Sequence, residues 1–232
     1  MVNVDTNFSA RVVKRLADVE WRAAPKVSGV HRRLLDRITF HDDVARATSV
    51  VRYDANAKFP FHTHHGGEEY FVLDGHFCDK DGDHGPGTYI RNPCGSSHEP
   101  WTREDGCTIF VKLIQMHKDD PFVKTSFYDE AERQWERSAD DPLLETSLLF
   151  KSPLTKEVVR LYRWQPGEAS RPIVSPDGGM EIYVLSGHFT DKDGEYGDHT
   201  WLRLPVGFSF LPTIHAASMW YVRTGAFPVI SC

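Results

Sequence analysis

Three histidines and a carboxylate between residues 62 and 98 have the types and spacing that suit a metal ion. The stretch His62-Thr63-His64-His65-Gly66-Gly67-Glu68-Glu69-Tyr70 sets two imidazoles two residues apart and a carboxylate four residues after the second. On an extended strand residues i and i+2 face one side, so His62 and His64 point into one space. Glu68 and Tyr70 can do the same from the next strand. A fourth donor, His98, stands in Gly87-x5-Pro93-x-Gly95-x2-His98. Imidazole and carboxylate donors together suit Fe(II), Zn, Mn or Ni rather than Ca or Mg. One divalent ion per chain is the expectation, Fe(II) or Zn foremost.

The carboxylate has two candidates, because only one of the adjacent pair Glu68 and Glu69 can face inward. The six-residue gap to Gly75 favours Glu68. His65 is out of phase with His64 and belongs to solvent or behind the donors. Tyr70 shares the phase of Glu68, so its hydroxyl is the candidate catalytic group. Phe61 and Trp101 flank donors and are candidate walls of a substrate pocket.

The elements that must hold these residues are short strands. Thr48 to Tyr53, Tyr70 to Leu73, Thr88 to Ile90 and Thr108 to Ile114 are rich in β-branched and aromatic residues. Gly, Pro, Asn and Asp punctuate them. The pattern then repeats in Val158 to Trp164, Glu181 to Leu185, Thr200 to Leu204 and Met219 to Arg223. Helical periodicity is weak, with Asp129 to Arg137 the expected exception.

The repetition extends to identity. Gly75 to Gly95 aligns without gaps on Gly187 to Gly207 with 12 of 21 positions identical, Arg91/Arg203, Pro93/Pro205 and Gly95/Gly207 among them. Two copies of one unit are present. With the same offset His62 becomes Val174, His64 becomes Pro176, Glu68 becomes Met180 and His98 becomes Phe210. The second copy thus lacks every donor, and Tyr70 becomes Ile182. By the same comparison His76, Asp79 and Asp81, which recur in copy two, read as structural, the aspartates as a solvated turn.

Many short strands with turns predict an all-β fold, two tandem jelly-roll barrels in one chain. The expected division is residues 1–117 as a metal-bearing domain, 118–142 as linker and 143–232 as a domain without ligands. Net charge of −6 and no Lys/Arg run argue against nucleic acid or an anionic membrane as partner. No membrane span or signal peptide is visible, so a cytoplasmic protein with free cysteines is expected. Antiparallel sheet edges leave room for a homodimer.

The two histidine motifs resemble those of the cupins, as His62, His64, Glu68, Gly75 and then Gly87, Pro93, Gly95, His98. Both halves share the resemblance, with motif detail in the first only. Trp21, Pro25, Gly29-Val30 and Leu34, with the Gly-x-Phe-x-Asp turn, are similar to the ChrR-like type, named for the cupin domain of an anti-sigma factor. That resemblance implies a small barrel (the RmlC-like jelly roll) holding Zn or Fe(II) with three histidines and one glutamate. Two positions depart from it: Asn56 replaces the usual first glycine, and Thr102 the asparagine after the second motif. No sigma-gripping helical domain or His-x3-Cys-x2-Cys is present. The resemblance implies one of two roles. One is an Fe(II)-dependent dioxygenase acting on small diketones or hydroxyketones. The alternative is a non-catalytic zinc-binding sensor like the anti-sigma cupin domain. A metal-assisted isomerase or hydrolase would use the same pocket without oxygen.

Overall fold

The computed structural model describes residues 2–25, 27–41, 44–125 and 133–227. Among them the only helical element is a 3-10 turn at Leu16–Asp18. The remaining elements are strands in two compact units.

The first unit is built on an eight-stranded antiparallel sheet. Its strand order is Val123–Thr125, Tyr89–Asn92, Glu68–Asp79, Trp101–Leu113, Val44–Tyr53, Val30–His41 and Arg22–Ala23, with Gly82–His84 paired to Glu68–Asp79. A separate two-stranded ribbon joins His62–Thr63 to Ser97–His98, and its register sets His62 directly opposite His98. Alternation explains the packing. Tyr70 and Val72 from one strand, Ile109 and Val111 from its neighbour, and Val51 and Tyr53 from the next turn inward with Val30 and Phe77.

The second unit repeats this plan. Its nine-stranded sheet runs Val12–Arg15, Thr200–Leu204, Met180–Asp191, Thr213–Thr224, Val158–Trp164, Leu144–Lys151 and Glu136–Arg137, with two short strands off that path. Ile173–Val174 pairs with Ser209–Phe210 as the counterpart of the histidine ribbon. Met180 and Phe210, which stand where the first copy has Glu68 and His98, are buried in the core with Phe189 and Trp220. The donors have been exchanged for packing.

The compact units divide the chain as residues 2–6 and 19–125 against 7–18 and 133–227. Residues 7–18, assigned by the sequence to the first domain, thus belong to the second unit. There Val12–Arg15 pairs with Thr200–Arg203 and covers an edge that would otherwise stay open. Likewise Val123–Thr125, assigned to the linker, extends the first sheet beside Tyr89–Arg91. The expected helix at 129–137 falls partly outside the described residues, and Glu136–Arg137 is a strand paired with Glu145–Thr146. Cys78 and Cys107 are free and buried, whereas Cys94 is disulfide-bonded, which corrects the free-cysteine reading there.

Candidate metal centre

The His62–Thr63 and Ser97–His98 ribbon brings two imidazoles together by register, and the turn that follows adds the rest. His64 begins this turn, accepting hydrogen bonds from Gly67 N–H at 3.2 Å and Gly95 N–H at 2.8 Å. Gly67 has φ +73°, and a Cβ there would come 2.9 Å from Met116 Cβ, so glycine is needed for the chain to turn back into Glu68. His62, His64 and His98 then offer ring nitrogens that all lie within 4.8 Å of one another.

Glu68 completes the group. Its Oε2 is 3.3 Å from His64 Nε2 and 3.6 Å from His98 Nε2, and the two Nε2 atoms are 3.0 Å apart. A cation held at about 2.1 Å from each donor needs separations of roughly 3.0 Å at right angles and 3.4 Å at tetrahedral angles. These three spacings bracket those values, so His64, His98 and Glu68 fit an ion, with the His62 nitrogen within 4.8 Å of the other two imidazoles. Glu69 turns to the opposite face and pairs with buried Arg91, whose other nitrogen binds Asp120 at 2.8 Å. The strand alternation thus separates the competing carboxylates: one faces the histidines and the other the outer packing.

Hydrogen bonds behind the rings fix which nitrogens face inward. His62 Nδ1–H donates to the Pro60 carbonyl at 2.9 Å, and His98 Nδ1–H donates to Asp79 Oδ2 at 3.0 Å. Both leave Nε2 with its lone pair for the site, the tautomer that ligation requires. Asp79 is held in turn: its Oδ1 accepts the Asp81 backbone N–H at 2.8 Å and His84 Nε2–H at 3.1 Å. Asp79 is therefore more than a solvated turn, and sequence reasoning missed its role. The same turn exists in copy two, where Asp191 Oδ1 binds the Asp193 N–H and Tyr196 hydroxyl. Only in copy one does the carboxylate's second oxygen reach a histidine.

The electrostatics follow from burial and these bonds. Burial lowers the pKa of His62 and of His64, with the field of Glu68 only partly opposing it. For His98 burial also acts downward, but the Asp79 hydrogen bond and Glu68 outweigh it, and its pKa is raised. Burial would raise Asp79, yet the bonds from His84, His98 and the Asp81 N–H hold it well below the usual carboxylate range.

The donors form one end of a cavity of about 230 Å³ in the first unit. Leu34, Val44, Val51, Leu113 and Ile114 supply apolar wall. Of the residues the sequence offered as pocket walls, neither lines it. Phe61 is 68% exposed and Trp101 42% exposed. Each is adjacent to a residue that faces in, His62 and Thr102 respectively, and so is turned away. Phe59 and Pro100 line the cavity instead, with the Phe59 ring 4.7 Å from that of His62. Tyr70 is not a wall residue either. It is 1% exposed in the barrel core, its ring 4.9 Å from Phe77 and its hydroxyl without a hydrogen-bond partner among the described residues. Burial and then the Glu68 charge raise its pKa well above the phenol value. His65 is exposed at the cavity mouth, in keeping with its phase. Asn56 takes φ +56°, the left-handed turn in which it stands for glycine, and the Thr102 hydroxyl donates to the Asp54 carbonyl at 2.7 Å.

Comparison with known proteins agrees with this architecture. A candidate dioxygenase from Nostoc punctiforme superposes with TM-score 0.74 at 15% identity, over 96% of this chain and 85% of that one. YlbA from E. coli superposes with TM-score 0.71 at 14% identity, over 96% and 94%. The oxalate decarboxylase of Lactobacillus farciminis, solved with formate, gives 0.64 at 12% identity, over 94% and 87%. At such identities the likeness carries the fold. Comparison with curated proteins gave no match. No described helix is long and apolar enough to cross a membrane. The family model described as ChrR cupin-like domain matches residues 9–117 and 124–228, so the chain belongs to the ChrR-like cupins and carries two cupin domains in tandem.

Proposed function

We propose that the first unit is an Fe(II)-dependent dioxygenase site for small diketone- or hydroxyketone-type compounds, with His62, His64, Glu68 and His98 as ligands. The observation that carries this reading is that the donors end in a cavity with apolar walls. A sensing site needs no such space beside its ion, whereas a substrate with two neighbouring oxygens does. The candidate dioxygenase and the decarboxylase among the structural relatives support an enzyme.

When bound, the ion supplies Lewis acidity and, as Fe(II), electrons for chemistry with dioxygen. The chain's own residues do the rest. Asp79 and the Pro60 carbonyl keep the protons of His98 and His62 on Nδ1, so both rings present lone pairs inward. Glu68 offers the negative charge that offsets the ion's. Val51, Leu113 and Ile114 exclude water from the space a substrate would fill. In this reading the partner is a small molecule and the setting cytoplasmic.

Metal analysis of untagged protein, followed by anaerobic Fe(II) loading and oxygen uptake with 2,4-pentanedione and 2-hydroxyacetophenone, tests the reading. One iron per chain and oxygen consumed with substrate support it. The zinc-sensor alternative predicts one tightly held Zn, a closed four-donor site and no uptake with any of these compounds.

A further inference from the structure

The cavity wall carries a charge that has no counter-charge among the described residues. Arg32 lies on the Val30–His41 strand, in phase with Val30 and Leu34, and pairs across the ladder with Val51. Val30 and Val51 both face the core, so Arg32 is an inward-pointing guanidinium. It is half-buried. Among the described residues it has neither a hydrogen bond nor an ion pair.

That is unlike the fully buried arginines of this chain. Arg46 binds Asp36 and Gln115, each at 2.9 Å, Arg91 binds Asp120 at 2.8 Å, and Arg223 binds Glu157 at 2.6 Å. Arg37, on the same cavity wall, donates to the Thr39 hydroxyl at 3.3 Å. Even its sequence neighbour Arg33, facing the other way, stacks 4.5 Å over Trp21. A half-buried guanidinium without a counter-charge keeps water on its donors and leaves its fork free to take an anion from the cavity. Its charge is among the smaller influences on His62 and Tyr53, lowering both. In the second unit the residues that the corresponding strand gives to the cavity are Leu144 and Thr146, so this cation belongs to the metal half.

We propose that Arg32 takes a carboxylate of the substrate, so that the compound entering this cavity is a small 2-oxo or 2-hydroxy acid rather than a neutral diketone. The planar fork of guanidinium matches a carboxylate with two parallel hydrogen bonds. With Arg32 on one wall and Glu68 among the donors, the cavity has a positive end for the acid and a donor cluster for the neighbouring oxygen. The volume of about 230 Å³ keeps the ligand small. This inference rests on the metal-enzyme reading above and shifts its substrate class from neutral diketones and hydroxyketones to acids.

The test is binding of pyruvate, lactate and phenylpyruvate, each against its methyl ester, by calorimetry on metal-loaded and metal-free protein. In the wild type at least one acid binds about 10-fold or more tightly than its ester, the range of a charge-assisted hydrogen bond. Arg32→Leu removes that preference with metal content unchanged, and Arg32→Lys restores part of it. No acid binding in the wild type, or equal binding of acid and ester, overturns the proposal. So does an acid preference that survives in Arg32→Leu. The acid-against-ester comparison needs no variant to fold. Elemental analysis separates the two readings: protein that takes no metal refutes the enzyme, whereas loaded protein without acid preference refutes only Arg32's role.

Discussion

Asp79→Asn is the sharpest perturbation of the centre, because the structure dictates which way the amide must sit. Asp79 Oδ1 accepts two donors, the Asp81 N–H at 2.8 Å and His84 Nε2–H at 3.1 Å. An asparagine keeps its carbonyl oxygen there, which drives the NH2 onto His98 Nδ1, 3.0 Å away in the native protein. His98 can answer only by accepting at Nδ1, and its proton then moves to Nε2, the atom that faces His64 and Glu68. The ligand lone pair is lost from the site unless the ring pays the unfavourable tautomer, and loss of such an outer carboxylate typically costs about 10- to 100-fold in metal affinity. That is roughly 1.4–2.7 kcal/mol. Competition with a chromophoric chelator measures it directly. Asp191→Asn is the control, since the matching carboxylate binds only the Asp193 N–H and Tyr196 hydroxyl and no donor lies behind it. Wild-type metal affinity in Asp79→Asn, or equal losses in the two variants, would refute the reasoning.

Other outcomes follow from the same geometry. Glu68→Gln lowers metal affinity while leaving the melting temperature of metal-free protein nearly unchanged. Glu69→Gln does the reverse, breaking a buried pair with Arg91 worth about 3 kcal/mol when one partner is removed, and thermal melts with metal analysis separate them. Glu68→Met with His98→Phe, which copies Met180 and Phe210, abolishes metal uptake with the fold retained. Asp79 Oδ2 then loses its donor, so denaturant titration shows a deficit of about 1–3 kcal/mol, and residual metal at one per chain would count against the ligand set. In metal-free protein the histidines titrate apart, His98 above the ordinary imidazole range and His62 and His64 below it, as ring-proton NMR against pH would show. The signs for stability differ. The unfolded chain takes up protons at His62 and His64 more readily, so their contribution is present above about pH 6.5 and is lost as pH falls from there through their lowered folded pKa. The His98 contribution is full below about pH 6.5 and fades as pH rises through its raised pKa. Common titration of all three near 6.5 would contradict this.

The convergence of the candidate donors was legible because spacing fixed it: a His-x-His ribbon strand, a glycine turn and a carboxylate four residues on leave few geometries. The Glu68 choice was legible for the same reason, since strand alternation sends Glu69 to Arg91. The Val30–His41 strand was not legible. Its run His31-Arg32-Arg33-Leu34-Leu35-Asp36-Arg37 lacks the β-branched signature, yet it builds a cavity wall and carries Arg32. Asp79 was hidden differently. Asp79-Lys80-Asp81-Gly82 repeats as Asp191-Lys192-Asp193-Gly194, and the turn it closes is the same, so comparing the copies made it structural. What distinguishes it is the side chain 19 positions later, which is His98 in one copy and Phe210 in the other. A repeat comparison confined to the turn cannot see that.

The two copies therefore show how little separates a donor site from a core. The aspartate turn, the hydrogen-bonding residue five positions on (His84 or Tyr196), and the phenylalanine beneath (Phe77 or Phe189) are present in both. Phe77 lies 6.0 Å from the His98 ring, and Phe189 lies 6.5 Å from that of Phe210. In the second unit an apolar ring continues the core and the turn carboxylate faces other groups. In the first an imidazole occupies the place, its Nδ1–H satisfied by the same carboxylate, and its Nε2 is left for an ion. Burying that imidazole is tolerable only because the turn already supplied a carboxylate at the right height. The scaffold's turn came with a use for the histidine, which is why the metal chemistry can sit on one barrel while the other keeps the frame without it.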